Sequence, residues 1–538
     1  MNHIPRSLTA LRRTLLALAL CLLALAAGAQ SAYQLVEQHR QWMRDHYPKA
    51  GKLSEEQRLR EASFAVINEL REPEAMALLH AVGHQVPAVE TYAAMKESGE
   101  HDHRFTHTLR ALEDLYHYAE QRLGRDNPTT GWCKYLWLDC LNNMQDISQR
   151  IGAVIAEQQD VAQRTGDKEN KALNCLFRIL RFDASVRQDL CNSPRLYDDV
   201  LKVERDVLKL YPPKTSKPSH AKAVLYTKLA KARTGFSASR EATAAYNEVG
   251  LNPETPYVKN TNTGVVTNAE YLFHVAEECY TQLYTPGHPE VQEFYVCLED
   301  ARLTYGTYND EHLDVLKAHY DYASLYYGDG SLPQLMRKIN YWNLLSALGQ
   351  EIPDAFMWRS MLGELKGYMG EGNLYYAFWA RNIVDIVSIQ LPLQLADAAR
   401  LYDEGVAHIC GSDSLRAAYL RYMLYSDFKD MAPALFEANV PKVAEYYAAH
   451  HNTTMLSIAF GRQLAVDHYV GLNNHEAGYR YQTMVTEDVR QRYGTSSTVY
   501  LDEKEQELNL LASCNPDAAR RQYPDLISKM KAAQADHT

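Results

Sequence analysis

Six histidines, His80, His84, His101, His103, His107 and His117, crowd one stretch of the chain, and imidazole is the side chain suited to zinc ligation or to proton transfer near neutral pH. His80 and His84 stand one helical turn apart, as do His103 and His107. Each pair would set two imidazoles on one helix face, able to share a zinc ion. A zinc hydrolase would also need a Glu beside the first His as general base. His80-Ala81-Val82-Gly83-His84 has none, and Gly83 weakens a helix there. Solvated or capping histidines beside the polar run Glu97 to Asp102 are the preferred reading, so no metal ligand is assigned.

Other chemistry is equally thin. Gly367-Tyr368-Met369-Gly370-Glu371-Gly372 has the glycines of a phosphate loop, but no strand precedes it, and it reads as a turn between helices. There is no Gly-x-Ser-x-Gly elbow, and Ser412, Ser414 and the Ser496-Ser497 pair sit in loops without local partners. Glu277-Glu278 and Asp198-Asp199 read as solvated helix faces. Similar carboxylates would serve a helical-barrel hydrolase, which stays open as a third reading. The chain is therefore expected to be no enzyme, with no catalytic residue, no cofactor and no metal site.

Cysteine usage adds one candidate. No CxxC pair occurs among the nine cysteines, which removes zinc ribbons and thioredoxin-like sites. Cys133 and Cys140 lie seven apart on one expected helix, a rise of about 10 Å, too far for a disulfide. Cys279 and Cys297 flank Pro286-Gly287-His288-Pro289 symmetrically, as if facing each other across a helical hairpin. They are the one candidate bridge, the alternative being two small buried apolar side chains.

These residues must be positioned by helices. Ala, Leu, Glu, Gln, Arg and Lys dominate, strand-type runs are scarce, and prolines fall between periodic segments. Leu109-Leu112-Leu115-Tyr116-Ala119-Leu123 steps by three and four to give one apolar stripe, which Gly124 ends. The same ending, Gln-Arg-x-Gly, closes at Gly166, 42 residues on, and again at Gly494. The breaks are Pro212 to Ser219, rich in Pro, and the polar run Asn252 to Asn268.

A finer pattern repeats inside these units: Tyr368, Gly372 and Ala377 are echoed by Tyr326, Gly330 and Leu335, and by Tyr469, Asn473 and Gly478. A Tyr late in one helix, Gly or Asn in the turn and a small residue early in the next resembles the tetratricopeptide repeat. Units near 42 residues, with His288-Pro289 opening one of them, resemble the long repeats of kinesin light chains. The resemblance is best from about residue 268 to 500. It implies an all-α fold, an α-solenoid of antiparallel helix pairs in a right-handed superhelix, whose concave face takes protein or peptide partners.

The N-terminus bears on compartment. Arg6, Arg12 and Arg13 precede an apolar run from Leu15 to Ala27 that closes on Ala27-Gly28-Ala29, the layout of a secretory signal cleaved after Ala29. Leu20 before Cys21 departs from a lipoprotein signal. The expected organisation is a signal peptide at 1–29, a helical repeat region at 30–250, a loop or joint at 251–268, a tetratricopeptide-like array at 269–513 and a helical tail at 514–538. A net charge of -11 with no basic stripe argues against nucleic acid, and no later stretch is apolar enough to span a membrane.

Thirty-seven tyrosines suit a binding surface, being large and stiff with a polar tip. Neighbours on a helix point about 100° apart, so one member of each of Tyr326-Tyr327, Tyr375-Tyr376 and Tyr446-Tyr447 should lie nearer an exposed face. No binding residue can be named. The sequence-level expectation is an exported, non-enzymatic scaffold for a protein or peptide partner, soluble in the periplasm or secreted. The alternative is a glycan- or nutrient-capturing protein of the cell envelope.

Overall fold

A computed structural model describes residues 31–145, 147–189, 194–237, 257–260, 264–267, 269–305, 310–370, 372–426, 428, 433–449 and 466–535. The expected leader and its cleavage site lie outside these residues. The described chain is helical throughout except for one two-stranded hairpin.

Local chemistry starts and stops the helices. Ser31 opens Ala32–His46 with a reciprocal cap: its Oγ accepts from the Gln34 backbone N–H at 3.3 Å, while Gln34 Oε1 accepts from the Ser31 N–H at 3.1 Å. Ser54 and Gln57 repeat the device at Glu55–Ile67. Proline leads Pro73–Gly83, Pro87–Ser98 and Pro128–Leu141, where its missing N–H costs nothing. Gly124 and Gly166 end their helices at φ +82° and +66°, left-handed values that glycine alone adopts without strain.

Successive helices then pack in pairs, Thr106–Leu123 on Pro128–Leu141, Ser148–Thr165 on Lys168–Asp189, and His220–Ser237 on Ala269–Leu283 among them. The apolar stripe behaves as its spacing requires, since Leu112, Leu115, Tyr116 and Ala119 are all buried. Three large cores follow in chain order, one from Met43 to Cys140, one from Trp132 to Ala301 and one from Leu332 to Tyr481.

The segment at 251–268, expected to be a loop, contains antiparallel strands Tyr257–Asn260 and Gly264–Thr267, with Tyr257 opposite Thr267. Val258, Val265 and Val266 supply the β-branched side chains that favour this. Nor does the core break there: Tyr226 and Leu229 before it share one cluster with Phe273 and Tyr280 after it.

Long-range contacts close the chain on itself. Helix Ala32–His46 packs against Asp310–Tyr326, with Val36 buried among Tyr322, Ala323, Tyr326 and Tyr327. Its backbone meets the turn at Gly287 so tightly that a Cβ on Gly287 would lie 1.7 Å from the Leu35 carbonyl oxygen. Further along, Asn373 Nδ2 donates to the Asn143 carbonyl at 3.0 Å. Helices from the first and later parts of the chain thereby face one another across internal cavities.

Candidate functional site

A cavity of about 770 Å³ lies where six separate stretches of the chain converge. Trp42 and Tyr47 come from the end of Ala32–His46, and Arg60, Glu61 and Phe64 from one face of Glu55–Ile67. Trp132 comes from Pro128–Leu141, Lys168 and Glu169 from the start of Lys168–Asp189, His220 from the start of His220–Ser237, and Tyr284 from just past Ala269–Leu283. The run Pro212 to Ser219 forms part of its wall. Lys222 holds that run by donating to the carbonyls of Pro213 and Ser216 at 3.0 and 3.1 Å, which fixes His220 as the first residue of its helix.

Aromatic rings make the walls. Tyr284 meets Trp42 at 67° with centroids 5.7 Å apart, and the His220 ring stands nearly perpendicular to Phe64 (5.6 Å, 80°) and to Tyr284 (6.4 Å, 85°). Trp132 packs on the other side of His220 at 5.6 Å. Such perpendicular pairs are a favoured ring geometry, and Phe64 and Tyr284 stack at 18° with centroids 6.2 Å apart.

The charges within this frame are mostly paired. Arg60 donates from Nε to Thr129 Oγ1 at 2.8 Å and from its terminal nitrogen to Glu169 at 2.5 Å. Lys168 Nζ sits 4.1 Å above the Tyr211 ring. His220 Nδ1 lies 3.2 Å from Glu290 Oε2 and 3.2 Å from the Tyr284 hydroxyl. Burial opposes the charged imidazole, but Glu290 and then Glu61 outweigh it and hold the His220 pKa above the usual histidine value. The His220 side chain, 30% accessible, is among the lining of this cavity. Glu61 differs: burial raises its carboxyl pKa, offset only in part by His220 and Arg60.

A second cavity of about 360 Å³ shares Trp132, Leu136 and His220 with the first. Here Lys228 Nζ donates to both Asp139 oxygens at 2.9 and 3.1 Å, and Arg337 to both Glu293 oxygens at 2.5 and 2.6 Å. Burial pushes the Asp300 carboxyl up to about 6.

As a reactive centre the arrangement is poor. Cys133, the cavity's one thiol, sits 3.3 Å from Ser63 Oγ and is pushed by burial to about 11, so it stays protonated and un-nucleophilic at neutral pH. What remains is a cavity walled largely by aromatic rings, with Arg60 and Glu169 paired at its edge.

The histidines noted in the sequence are dispersed. His80 bridges Glu90 (Nδ1, 2.9 Å) and Glu97 (Nε2, 2.9 Å), while His84 is exposed past the end of its helix. His103 and His107 do not share a helix, because Phe105 takes φ +50° and the helix begins at Thr106. His103 instead reaches across the fold to the Tyr368 hydroxyl, Nδ1 to oxygen 3.2 Å, and His101 lies beside Gly328 and Gly330. Among the described residues no group of three or more His, Cys, Asp or Glu is placed to hold a metal.

Cys279 and Cys297 stand on the neighbouring helices Ala269–Leu283 and Pro289–Tyr305 as free thiols. The Lys222 charge acts on Cys279, whereas Cys297 lines the second cavity, where the Lys231 charge acts on it. Gly370 ends one helix at φ +75° and Asn373 caps the next, so the glycine-rich run is an inter-helix turn. Of the tyrosine pairs, Tyr326 and Tyr327 are both buried, the former under the N-terminal helix. Tyr375 is half-buried beside a buried Tyr376; the side chains of Tyr446 and Tyr447 lie outside the described residues.

No motif marked Trp42, Glu61, Phe64, Trp132 or Tyr284. The one usable signal was the proline-rich break before His220. No protein-family model matches the chain, and no curated protein matches it. Among the described residues no helix is long and apolar enough to cross a membrane.

Proposed function

We propose that this chain is an exported, non-enzymatic binding protein of the tetratricopeptide-like kind, a helical-repeat scaffold that holds a protein or peptide segment on its inner face. The observation that carries this reading is the 770 Å³ aromatic cavity, assembled from six stretches of the chain among packed helix pairs. Its volume suits a few side chains of a bound segment. The Tyr, Gly or Asn, and small-residue spacing supports the repeat assignment: Gly330 at φ +82° and Asn473 at φ +57° both occupy inter-helix turns, and an added Cβ at Gly478 would come to 3.1 Å from Val470.

The test is crosslinking in living source cells, then affinity capture with wild-type protein and with Phe64→Ala and Lys168→Glu variants. A reproducible set of envelope proteins that crosslinks to the wild type and falls away in both variants supports the proposal. Capture unchanged by both variants removes the cavity from it. A second reading, capture of a glycan, is favoured by the presence of Trp42 and Trp132 in the lining of the same cavity. It predicts quenching of tryptophan fluorescence by soluble oligosaccharides.

A further inference from the structure

We propose, building on the reading of the chain as a peptide-binding protein, that the 770 Å³ cavity receives an acidic side chain of the partner segment. Its carboxylate is held by Lys168 and Lys217, where the start of Lys168–Asp189 meets the run Pro212 to Ser219, and apolar neighbours of that residue pack on Trp42, Phe64 and Trp132. The inference comes from pairing the charges that line the space. Glu169 accepts from Arg60 at 2.5 Å, and the charges of His220 and Arg60 act on Glu61. Asp167, next to Lys168, caps the helix by accepting from the Asn170 N–H at 2.9 Å. Lys168 instead lies over the Tyr211 ring at 4.1 Å, and neither it nor Lys217 forms an ion pair with a described residue. In a chain of net charge -11, two cations without carboxylates beside one aromatic cavity reverse the local sign.

The backbone adds charge of the same sign. Lys168–Asp189 and His220–Ser237 both begin at the cavity, with Lys168, Glu169, His220 and Ala221 in its lining, and helix starts carry partial positive charge. The Tyr211 ring supports the Lys168 ammonium without neutralising it, so its charge stays available. Both lysines are exposed in the free chain, where water keeps any ion pair weak. A segment seated on the neighbouring rings displaces that water, and the attraction strengthens as the local dielectric falls. The cavity thus favours an acidic residue flanked by apolar ones over a basic or a wholly apolar segment.

Selection of a randomised displayed heptapeptide library on the full chain tests this, followed by calorimetric titration of the leading synthetic peptide and of its counterpart with each carboxylate replaced by carboxamide. Enriched peptides should carry Asp or Glu beside an apolar residue. The acidic peptide should bind about fivefold more tightly than its carboxamide counterpart, the scale of two modest ion pairs. That margin should shrink as salt is raised, vanish in the K168Q/K217Q double variant and persist in K168R/K217R, with melting temperatures recorded so that an unfolded variant is recognised. Enrichment of peptides without acidic residues, or equal affinity for the carboxamide counterpart, would overturn the acid assignment while leaving peptide binding intact. A margin unchanged in K168Q/K217Q would overturn the assignment of the two lysines. Failure to enrich any peptide on folded wild-type protein would overturn the peptide-binding reading as well, and oligosaccharide quenching of tryptophan fluorescence would then identify the glycan alternative.

Discussion

His39 Nε2 lies 3.4 Å from Glu72 Oε1, with both side chains sealed from solvent at 0% and 4% exposure. Tyr326 completes the cluster, its hydroxyl 3.4 Å from Glu72 Oε2 and 3.5 Å from His39 Nε2. Three segments meet at this point: the N-terminal helix, the turn before Pro73, and the end of Asp310–Tyr326. The docking of the N-terminal helix therefore depends on a buried polar knot as well as on Val36.

That knot should make the docking acid-labile. Burial alone would raise the Glu72 pKa, but His39 and the backbone N–H groups of Glu72 and Arg71 outweigh it and hold the pKa below the ordinary 4.5. A depressed folded-state pKa contributes stability that is present above the unfolded value and lost as pH falls through the folded value. Melting followed by circular dichroism from pH 7 to pH 3 should show this loss. Glu72→Gln should flatten the acid limb and cost about 1–3 kcal/mol at neutral pH by leaving buried donors unmatched; an unchanged acid limb would dissociate Glu72 from it.

Gly287→Ala should undock the first helix. The new Cβ would collide with the Leu35 carbonyl oxygen at 1.7 Å, a backbone atom that cannot rotate away. A loss of at least about 2 kcal/mol is expected, together with faster proteolysis within 32–46. Gly363→Ala is the contrasting change, since that helical glycine has no neighbour within 4 Å; it should stabilise by about 0.5–1 kcal/mol. Equal melting of the two variants would contradict the tight contact.

The Arg233–Glu204 pair is buried at 1% and 4% exposure, Nε to Oε2 3.0 Å, and joins Pro194–Leu210 to His220–Ser237. Arg233→Met alone should cost about 3–5 kcal/mol, because it removes the cation paired with a buried carboxylate. Adding Glu204→Leu should recover most of that loss, as paired replacement by apolar groups often does. Chemical denaturation of the single and double variants measures the recovery, and a double variant no better than the single would refute a coupled pair.

His80 offers a titration with the opposite sign. Glu97 and then Glu90 hold its pKa above 6.5, so its contribution is present below the unfolded value and lost as pH rises through the folded one. The site is exposed, so the energy is small and screened by salt. NMR titration of the His80 ring should give a midpoint above 6.5 that falls in Glu90→Gln; a midpoint unmoved by that substitution would remove the carboxylate from the explanation.

Helices, their ends and their pairing were legible in the chain itself because each depends on neighbours in sequence. The stripe from Leu109 to Leu123 buries the residues its period selects, and Gly124, Gly166, Gly370 and Gly494 take the left-handed φ that their positions imply. The hairpin at 257–267 escaped notice because four-residue strands carry too little alternation to stand out from a polar run.

The candidate site was not legible, for a physical reason. Trp42, Glu61, Phe64, Trp132, His220 and Tyr284 are spread over more than two hundred positions, and nothing in the chain near any of them records which others they meet. The sequence by itself determined a helical chain with its turns and caps, since those follow from short-range sterics and hydrogen bonding. Only tertiary packing decided that the N-terminal helix would close on Asp310–Tyr326, that Tyr326 and Tyr327 would both be covered, that His103 would leave His107 for Tyr368, and that Trp42, Phe64, Trp132 and Tyr284 would line one cavity. Those outcomes rest on long-range shape and burial, which no local pattern encodes.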